Sequence, residues 1–572
     1  MGRALTGRLA SLLPTRADLA DVRRDPRRDL LAGLTVAVVA LPLALGFGVS
    51  SGLGAAAGLA TAVVAGALAA VFGGSNLQVS GPTGAMTVVL VPITAKYGPG
   101  GVLTVGLVAG LMLVALAVAR AGRYMQFVPA PVVEGFTLGI AGVIGLQQVP
   151  NALGVAKPDG EQVLAVTWRA VEEFTKSPNW TALGLAGGVA LLMLAGARRW
   201  PRIPFSLVAV IAATLVAQIF HLDAAPPIGD LPAGLPVPSF GFLDLGALGT
   251  LLPSAVAVAA LAALESLLSA SVADGMTTGQ KHDPDRELFG QGLSNIAAPL
   301  FGGVPATGAI ARTAVNVRTG ARSRLAALTH AAVLAVIVFA AAPLVSKIPL
   351  AALAGVLLAT AIRMVEVGSL RAMAGATRSD ALILVLTAAA TLALDLVHAV
   401  IIGLVVAGAL ALRAVASQAR MDQMPLDRDG DADEEHALLA EHIVVYRIDG
   451  PLFFAAAHRS LVELGEVSDV RVVILRMSRV TTMDATGALA LKGVVEKLKR
   501  RGITVMTSGV RPGQRQVLES VGALELLRLD GREYATAPEA LQGARDHLRC
   551  AGILTALPVQ RTAVHGSEEP AR

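Results

Sequence analysis

The chain carries a single cysteine, Cys550, in 572 residues. An intramolecular disulfide is therefore impossible, and a cysteine-rich metal centre is excluded with it. Charge is sparse as well: Asp, Glu, Lys and Arg together supply 16% of the residues. No metal-ligand spacing, phosphate-cradling glycine loop or nucleophile elbow occurs along the chain. With no catalytic constellation in view, the sequence predicts a protein that is not an enzyme and that needs neither cofactor nor metal.

What is present is apolar. Hydrophobic residues make up 54% of the chain, and the mean hydropathy is +0.65, above ordinary soluble values. The clearest apolar runs are 30–49, 53–72, 102–118, 203–219 and 397–412, against the roughly 20 residues that span a bilayer. About fourteen membrane segments are expected between 30 and 420, several of them shorter than a full span. The first run follows a charged stretch, unlike a cleaved signal peptide. Arg23, Arg24, Arg27 and Arg28 flank that run, which predicts a cytoplasmic N-terminal segment at 1–29. The net charge of +5 is then topogenic, and nucleic acid is not an expected partner.

Two short stretches rhyme. They are Ser80-Gly81-Pro82-Thr83-Gly84-Ala85-Met86 and Val304-Pro305-Ala306-Thr307-Gly308-Ala309-Ile310, each soon after a Phe-Gly-Gly. A Pro/Gly break in a membrane segment frees backbone groups that lipid cannot satisfy, so it belongs where the backbone lines a protein or water cavity. Paired breaks in two halves point to the substrate site of a transporter. A proline-rich connection at 221–242 separates the halves, about 30–220 and 250–420. Seven segments in each half make an inverted repeat with both termini on one side of the membrane.

Each break predicts a half-helix that restarts near the bilayer midplane. The first would run from Thr83 to Val91 and end at Pro92; the second would restart near Gly308 and reach Val317. Converging N-termini offer free N–H donors to an anion, and Gly84 and Gly308 allow a close backbone approach. Arg312 adds a full charge one turn into the second half-helix, and an intramembrane arginine faces a cavity or a partner. Its guanidinium suits an oxyanion. Glu265, in an apolar helix with Ser266 and Ser269, either carries a proton or pairs with Arg312 as a fixed strut. Glu134 reads as a helix cap, and Asp395 and His398 as a water-facing join.

Beyond the acidic linker at 421–440 the pattern becomes that of a soluble α/β domain, 441–550. Strands are expected at 443–448, 452–454, 472–475 and 503–506, with helices at 485–499 and 514–521. The tail at 551–572 is polar and reads as disordered.

Taken together these residues resemble the SulP family of anion transporters, whose animal members include prestin and pendrin. The likeness is carried by 29–45, 72–84, 131–139, 263–269, 290–298 and 301–320. It implies an α-helical polytopic membrane protein, a seven-plus-seven inverted repeat whose core domain moves against a gate domain. It also implies that Thr83, Gly84, Ala85, Gly308, Ala309, Ile310 and Arg312 surround the anion, with Glu265 close by. Sodium-coupled bicarbonate carriers of that family place aspartate where Glu265 stands and lack the Arg312 counterpart, so the departures here favour protons over sodium.

The C-terminal domain is similar to a STAS domain, through 444–454 and Met483-Asp484-Ala485-Thr486-Gly487. In the stand-alone STAS proteins it resembles, a serine at the place of Thr486 is phosphorylated, so the resemblance implies Thr486 as a regulatory candidate and a cytosolic protein partner; Asp484 or Thr486 otherwise caps the helix. The expectation is a proton-coupled transporter of sulfate or a dicarboxylate such as succinate or fumarate, in the inner membrane, as a homodimer. An exchanger or channel for bicarbonate or chloride, and a membrane-anchored STAS signalling protein, are the rivals.

Overall fold

In the computed structural model, residues 8–554 are described apart from 9, 159, 161, 201–202, 223, 233, 245, 395, 426–438, 454–469 and 529–531. Asp395, most of the linker, Phe454 and the tail at 555–572 thus lie outside the described residues. The chain divides into two compact units, Met1–Ala407 and Gly408–Arg572.

In the first unit, α1 (Arg16–Val22) precedes α2 (Pro26–Ser50) and α3 (Ala55–Phe72). Strand β1 (Ser80–Gly81) leads into α4 (Gly84–Val118), then α5 (Ala130–Leu153), α6 (Val163–Lys176), α7 (Trp180–Arg199) and α8 (Phe205–Ile219). The order then repeats as α9 (Leu248–Met276), α10 (Pro284–Leu300), β2 (Thr307–Gly308) and α11 (Ile310–Arg318). It continues through α12 (Leu325–Val345), α13 (Leu350–Met364), α14 (Val367–Ala376), α15 (Arg378–Ala393) and α16 (Leu396–Ala416). Among the described residues, nine helices are long and apolar enough to cross a membrane. Of the shorter helices, Phe205–Ile219 is apolar as well.

The packing is reciprocal, as a two-fold repeat requires. Helix α3 lies on α12 as α10 lies on α4, and α2 lies on α12 as α9 lies on α4. In the same way α5 lies on α15 as α13 lies on α7. Small residues bring these backbones together: a β-carbon at Gly110 would stand 2.7 Å from Gly292 O and from Ile296 N. With lipid as apolar as the helices, such close packing is what joins them.

Two expectations about the breaks change. The first half-helix does not stop at Pro92, which lies inside α4; the chain turns at Gly98, with a φ of 68°. Losing one N–H at Pro92 is tolerated, whereas Gly98 takes a conformation that costs other residues, and Pro99 then starts the next helix. The Thr-Gly rhyme is also out of register. Strand β1 pairs antiparallel with β2, Ser80 opposite Gly308 and Gly81 opposite Thr307. Thr83 is the N-cap of α4, but the N-cap of α11 is Ala309. Thr307 therefore lies in the strand, and its structural counterpart is Ser80 rather than Thr83.

The second unit holds a six-stranded sheet: β3 (Arg420–Met424), β4 (Ile443–Leu452), β5 (Val472–Arg476), β6 (Val480–Met483), β7 (Thr504–Ser508) and β8 (Glu533–Tyr534). Its helices are α17 (Ala485–Arg500), α18 (Pro512–Ser520), α19 (Ala523–Arg528) and α20 (Ala537–Cys550). Strands β4, β5, β7 and β8 run parallel, and β3 closes one edge antiparallel to β4. Both faces are covered, which explains the uninterrupted apolar run of β5. Val473 and Leu475 face the cluster of α17, while Val472 and Ile474 face that of α20. Residues 420–424 are thus an edge strand rather than the start of a linker. The expected strand at 452 is the end of β4, which continues past Gly450 through a register shift.

Candidate functional site

The breaks bring two helix N-termini together across the β1–β2 bridge. At the start of α4, Thr83 Oγ1 accepts from Met86 N at 3.3 Å and its carbonyl accepts from Thr87 N at 3.1 Å. The N–H groups of Gly84 and Ala85 precede any intrahelical acceptor, as do those of Ile310 and Ala311 in α11. In α11 the N-cap Ala309 donates its own N–H to Val79 O at 2.9 Å. The first turns of α4 and α11, joined by the β1–β2 pairing, thus each keep two backbone donors at a positive dipole end.

Glu265 of α9 ties the two halves. Its Oε2 accepts from Thr83 Oγ1 at 2.9 Å and from Thr307 Oγ1 at 2.6 Å. One turn of chain chemistry fixes the rest: Ser266 Oγ accepts from Gly308 N at 3.0 Å, and Ser269 Oγ donates to Thr313 Oγ1 at 3.0 Å. Both serines thus anchor the second break. Gly308 is a matter of space, since a β-carbon there would collide with the Gln78 amide. Gly84 is packed instead against Ile144 of α5, with Phe47 3.2 Å from a β-carbon placed there.

Arg312 is 2% exposed and Thr83 5%, so the arrangement is closed to solvent. Arg312 Nη2 donates to the Pro82 carbonyl, and Nη1 is buried without a partner. Among the described residues no ion pair joins Arg312 to Glu265, so the fixed strut does not form. A buried guanidinium with an unspent donor beside free N–H groups can take an oxyanion oxygen. Ala85 and Ile310 stand in the first turns of their helices and contribute backbone.

Several residues went unread in the sequence. Gln78 is 5% exposed, and neither end of its amide has a partner. A polar ladder on α10 sets the breaks in place. Glu287 Oε2 accepts from Gly74 N at 2.8 Å, Gln291 Nε2 donates to Ser80 Oγ at 2.6 Å, and Asn295 clamps both backbone groups of Ala306 at 2.8 Å. Their spacing of i, i+4 and i+8 puts them on one helix face, a pattern legible in the sequence. Glu134 is not a cap: it accepts from Ser369 Oγ of α14 at 2.7 Å. In the second unit Asp484 caps α17, accepting from Gly487 N at 2.7 Å, and Thr486 stays exposed in the first turn.

Interlocked inverted halves with facing half-helices and a buried arginine define a multi-pass membrane transporter rather than an enzyme. The family model named Sulfate permease family matches residues 27–387, and that of the STAS domain matches 437–540. The putative sulfate transporter YvdB of Bacillus subtilis (strain 168) is 36% identical over 507 residues, 87% of this chain and 94% of that protein. The bicarbonate transporter BicA of Picosynechococcus sp. is 32% identical over 520 residues, 87% of this chain and 91% of that one. The solved transmembrane domain of a cyanobacterial BicA is 33% identical, with a TM-score of 0.61, covering 67% of this chain and 98% of that one. The structure of SLC26A9, at 16% identity, shares the fold with a TM-score of 0.79 over 96% of this chain and 95% of its own. The chain belongs to the sulfate permease (SulP) family of anion transporters.

Proposed function

We propose that the protein is a secondary active transporter that moves sulfate or a small dicarboxylate, such as succinate or fumarate, by alternating access coupled to protons. The observation that carries this reading is Arg312, buried with an unspent Nη1 beside two helix N-termini. Thr83, Gly84, Ala85, Gly308, Ala309, Ile310 and Arg312 would hold the anion. Glu265 would carry the proton, because a carboxyl held by two threonine hydroxyls rather than by arginine is free to change charge. The likeness to proteins named bicarbonate transporters favours a second reading, exchange or channel conduction of bicarbonate or chloride. Under either reading the protein works in the inner membrane as a homodimer, with the N-terminus and STAS domain cytoplasmic. Thr486 is the place where a cytosolic partner or kinase would act.

Competition uptake in proteoliposomes, with and without an imposed pH gradient, tests the proposal. Sulfate or dicarboxylate uptake driven by an inward proton gradient is expected, and Glu265→Gln should lose the share of that drive that Glu265 carries. Voltage-scaled current with no proton dependence would support the channel instead.

A further inference from the structure

His330, in α12, is fully buried, and neither ring nitrogen has a hydrogen-bond partner. Buried polar groups are ordinarily paired, so an orphaned imidazole calls for a reason. Its surroundings supply one. A β-carbon placed at Gly81 would lie 2.7 Å from Arg312 Nη1 and 3.5 Å from Ala62 Cα. One placed at Gly66 would lie 3.3 Å from Ser80 O and 3.9 Å from His330 Cε1. Ala62 and Gly66 are one turn apart on α3, and Ser80 and Gly81 adjoin in β1. The imidazole and the guanidinium therefore occupy neighbouring places in one niche lined by small residues, and each has an unspent nitrogen.

The charges around this niche are few. Helix α3 carries no titratable side chain, and α12 carries none but His330. Those of α2 are Arg27, Arg28 and Asp29, in its first turn, where Asp29 accepts from Arg322 N and Ser323 N. On α10, Arg286 is bound to Asp18 and Glu287 to the 74–75 backbone. On α9, Glu265 is held by the threonines, and on α11 Arg318 lies in the last turn. Arg324, the N-cap of α12, is spent on the Val71 and Gly73 carbonyls and on Asp18, which leaves Arg312 as the cation that faces His330. A second cation beside it in a dry interior is costly, and a bound dianion removes that cost.

Resting on the anion-transport reading, we propose that His330 is a positioning residue that takes up one proton when a dianion occupies the site. The proton comes from solvent on the side where the anion enters and leaves with the anion on the other side. A monovalent anion leaves only Arg312 compensated, so it travels without this proton. His330 would thereby set the proton count by the valency of the substrate, independently of Glu265.

The test measures sulfate uptake and internal acidification together in proteoliposomes holding the full-length protein. His330→Gln should keep the KM for sulfate within about threefold while protons moved per sulfate fall at least twofold; chloride uptake should be unchanged. Unaltered protons per sulfate in His330→Gln would overturn the proposal. Should that variant fail to fold, His330→Asn takes its place, and the wild type supplies a second readout. Sulfate added to unbuffered detergent-solubilised wild type should draw protons from solution, and chloride should not; equal uptake with both anions contradicts the proposal. Wild-type protein that moves no sulfate or other dianion would instead sink the dianion-transport reading on which this one rests.

Discussion

Thr83 and Thr307, from opposite halves of the chain, meet with hydroxyl oxygens 3.2 Å apart, and both donate to the same oxygen of Glu265. The two breaks are thereby coupled through one carboxylate. Glu265 thus holds the N-cap of α4 and strand β2 by one oxygen.

Thr307→Val should loosen this coupling. It leaves a buried carboxylate short of one donor, a loss of about 1.4 kcal/mol or tenfold in apparent affinity. Thr307→Ser keeps the hydroxyl and should stay close to wild type. Equal KM values for the valine and serine variants in an uptake assay would show that Thr307 does not hold Glu265.

Asn295 provides a stability test. Asn295→Leu deprives the Ala306 N–H and C=O of their partners in a site that water cannot reach, which costs about 3 kcal/mol. Thermal unfolding in detergent should fall clearly below wild type. An unchanged melting temperature would mean that the second break is fixed by other contacts.

Asp18 gives a pH test. Arg286 Nη2 lies 2.8 Å and Arg324 Nη2 3.3 Å from its carboxylate oxygens. Partial burial opposes the charged form, but the Arg286 hydrogen bond, the Thr15 N–H and Arg324 outweigh it and hold Asp18 at about 2. A depressed value contributes stability fully above the ordinary value of 3.8, and the contribution is lost as pH falls toward 2. Asp18→Asn should therefore lower stability by about 1–2 kcal/mol at neutral pH, with the gap to wild type closing in acid. A gap that stays constant from pH 7 to pH 2 would assign the effect to packing.

The fold was largely legible because membrane segments announce themselves by length and hydropathy, and because the paired Pro/Gly breaks mark where helices stop. What misled was identity of letters: Thr-Gly occurs at both breaks, yet β1 is followed by Pro82 and the second break has no such insertion. The strand register, fixed by hydrogen bonds across the halves, decided the correspondence. Arg312 and Glu265 were readable as rare charges in apolar helices. Their separation was not, since it depends on the Pro82 carbonyl capturing the guanidinium. His330 was hidden because an isolated polar residue in an apolar run says nothing of its neighbours, and Gln78 because it stands among the polar residues of the break. Strand β3 was masked by its charge, which suits an exposed edge as well as a linker.

The central claim is that Arg312 supplies the positive charge that binds the transported anion. Uptake of labelled sulfate, or of the dicarboxylate that competes best, should be measured for wild type and Arg312→Ala at matched folded protein in proteoliposomes. Loss of saturable uptake by at least a hundredfold, with thermal unfolding still cooperative, is the predicted result. Arg312→Ala with near-wild-type uptake and KM would contradict the account.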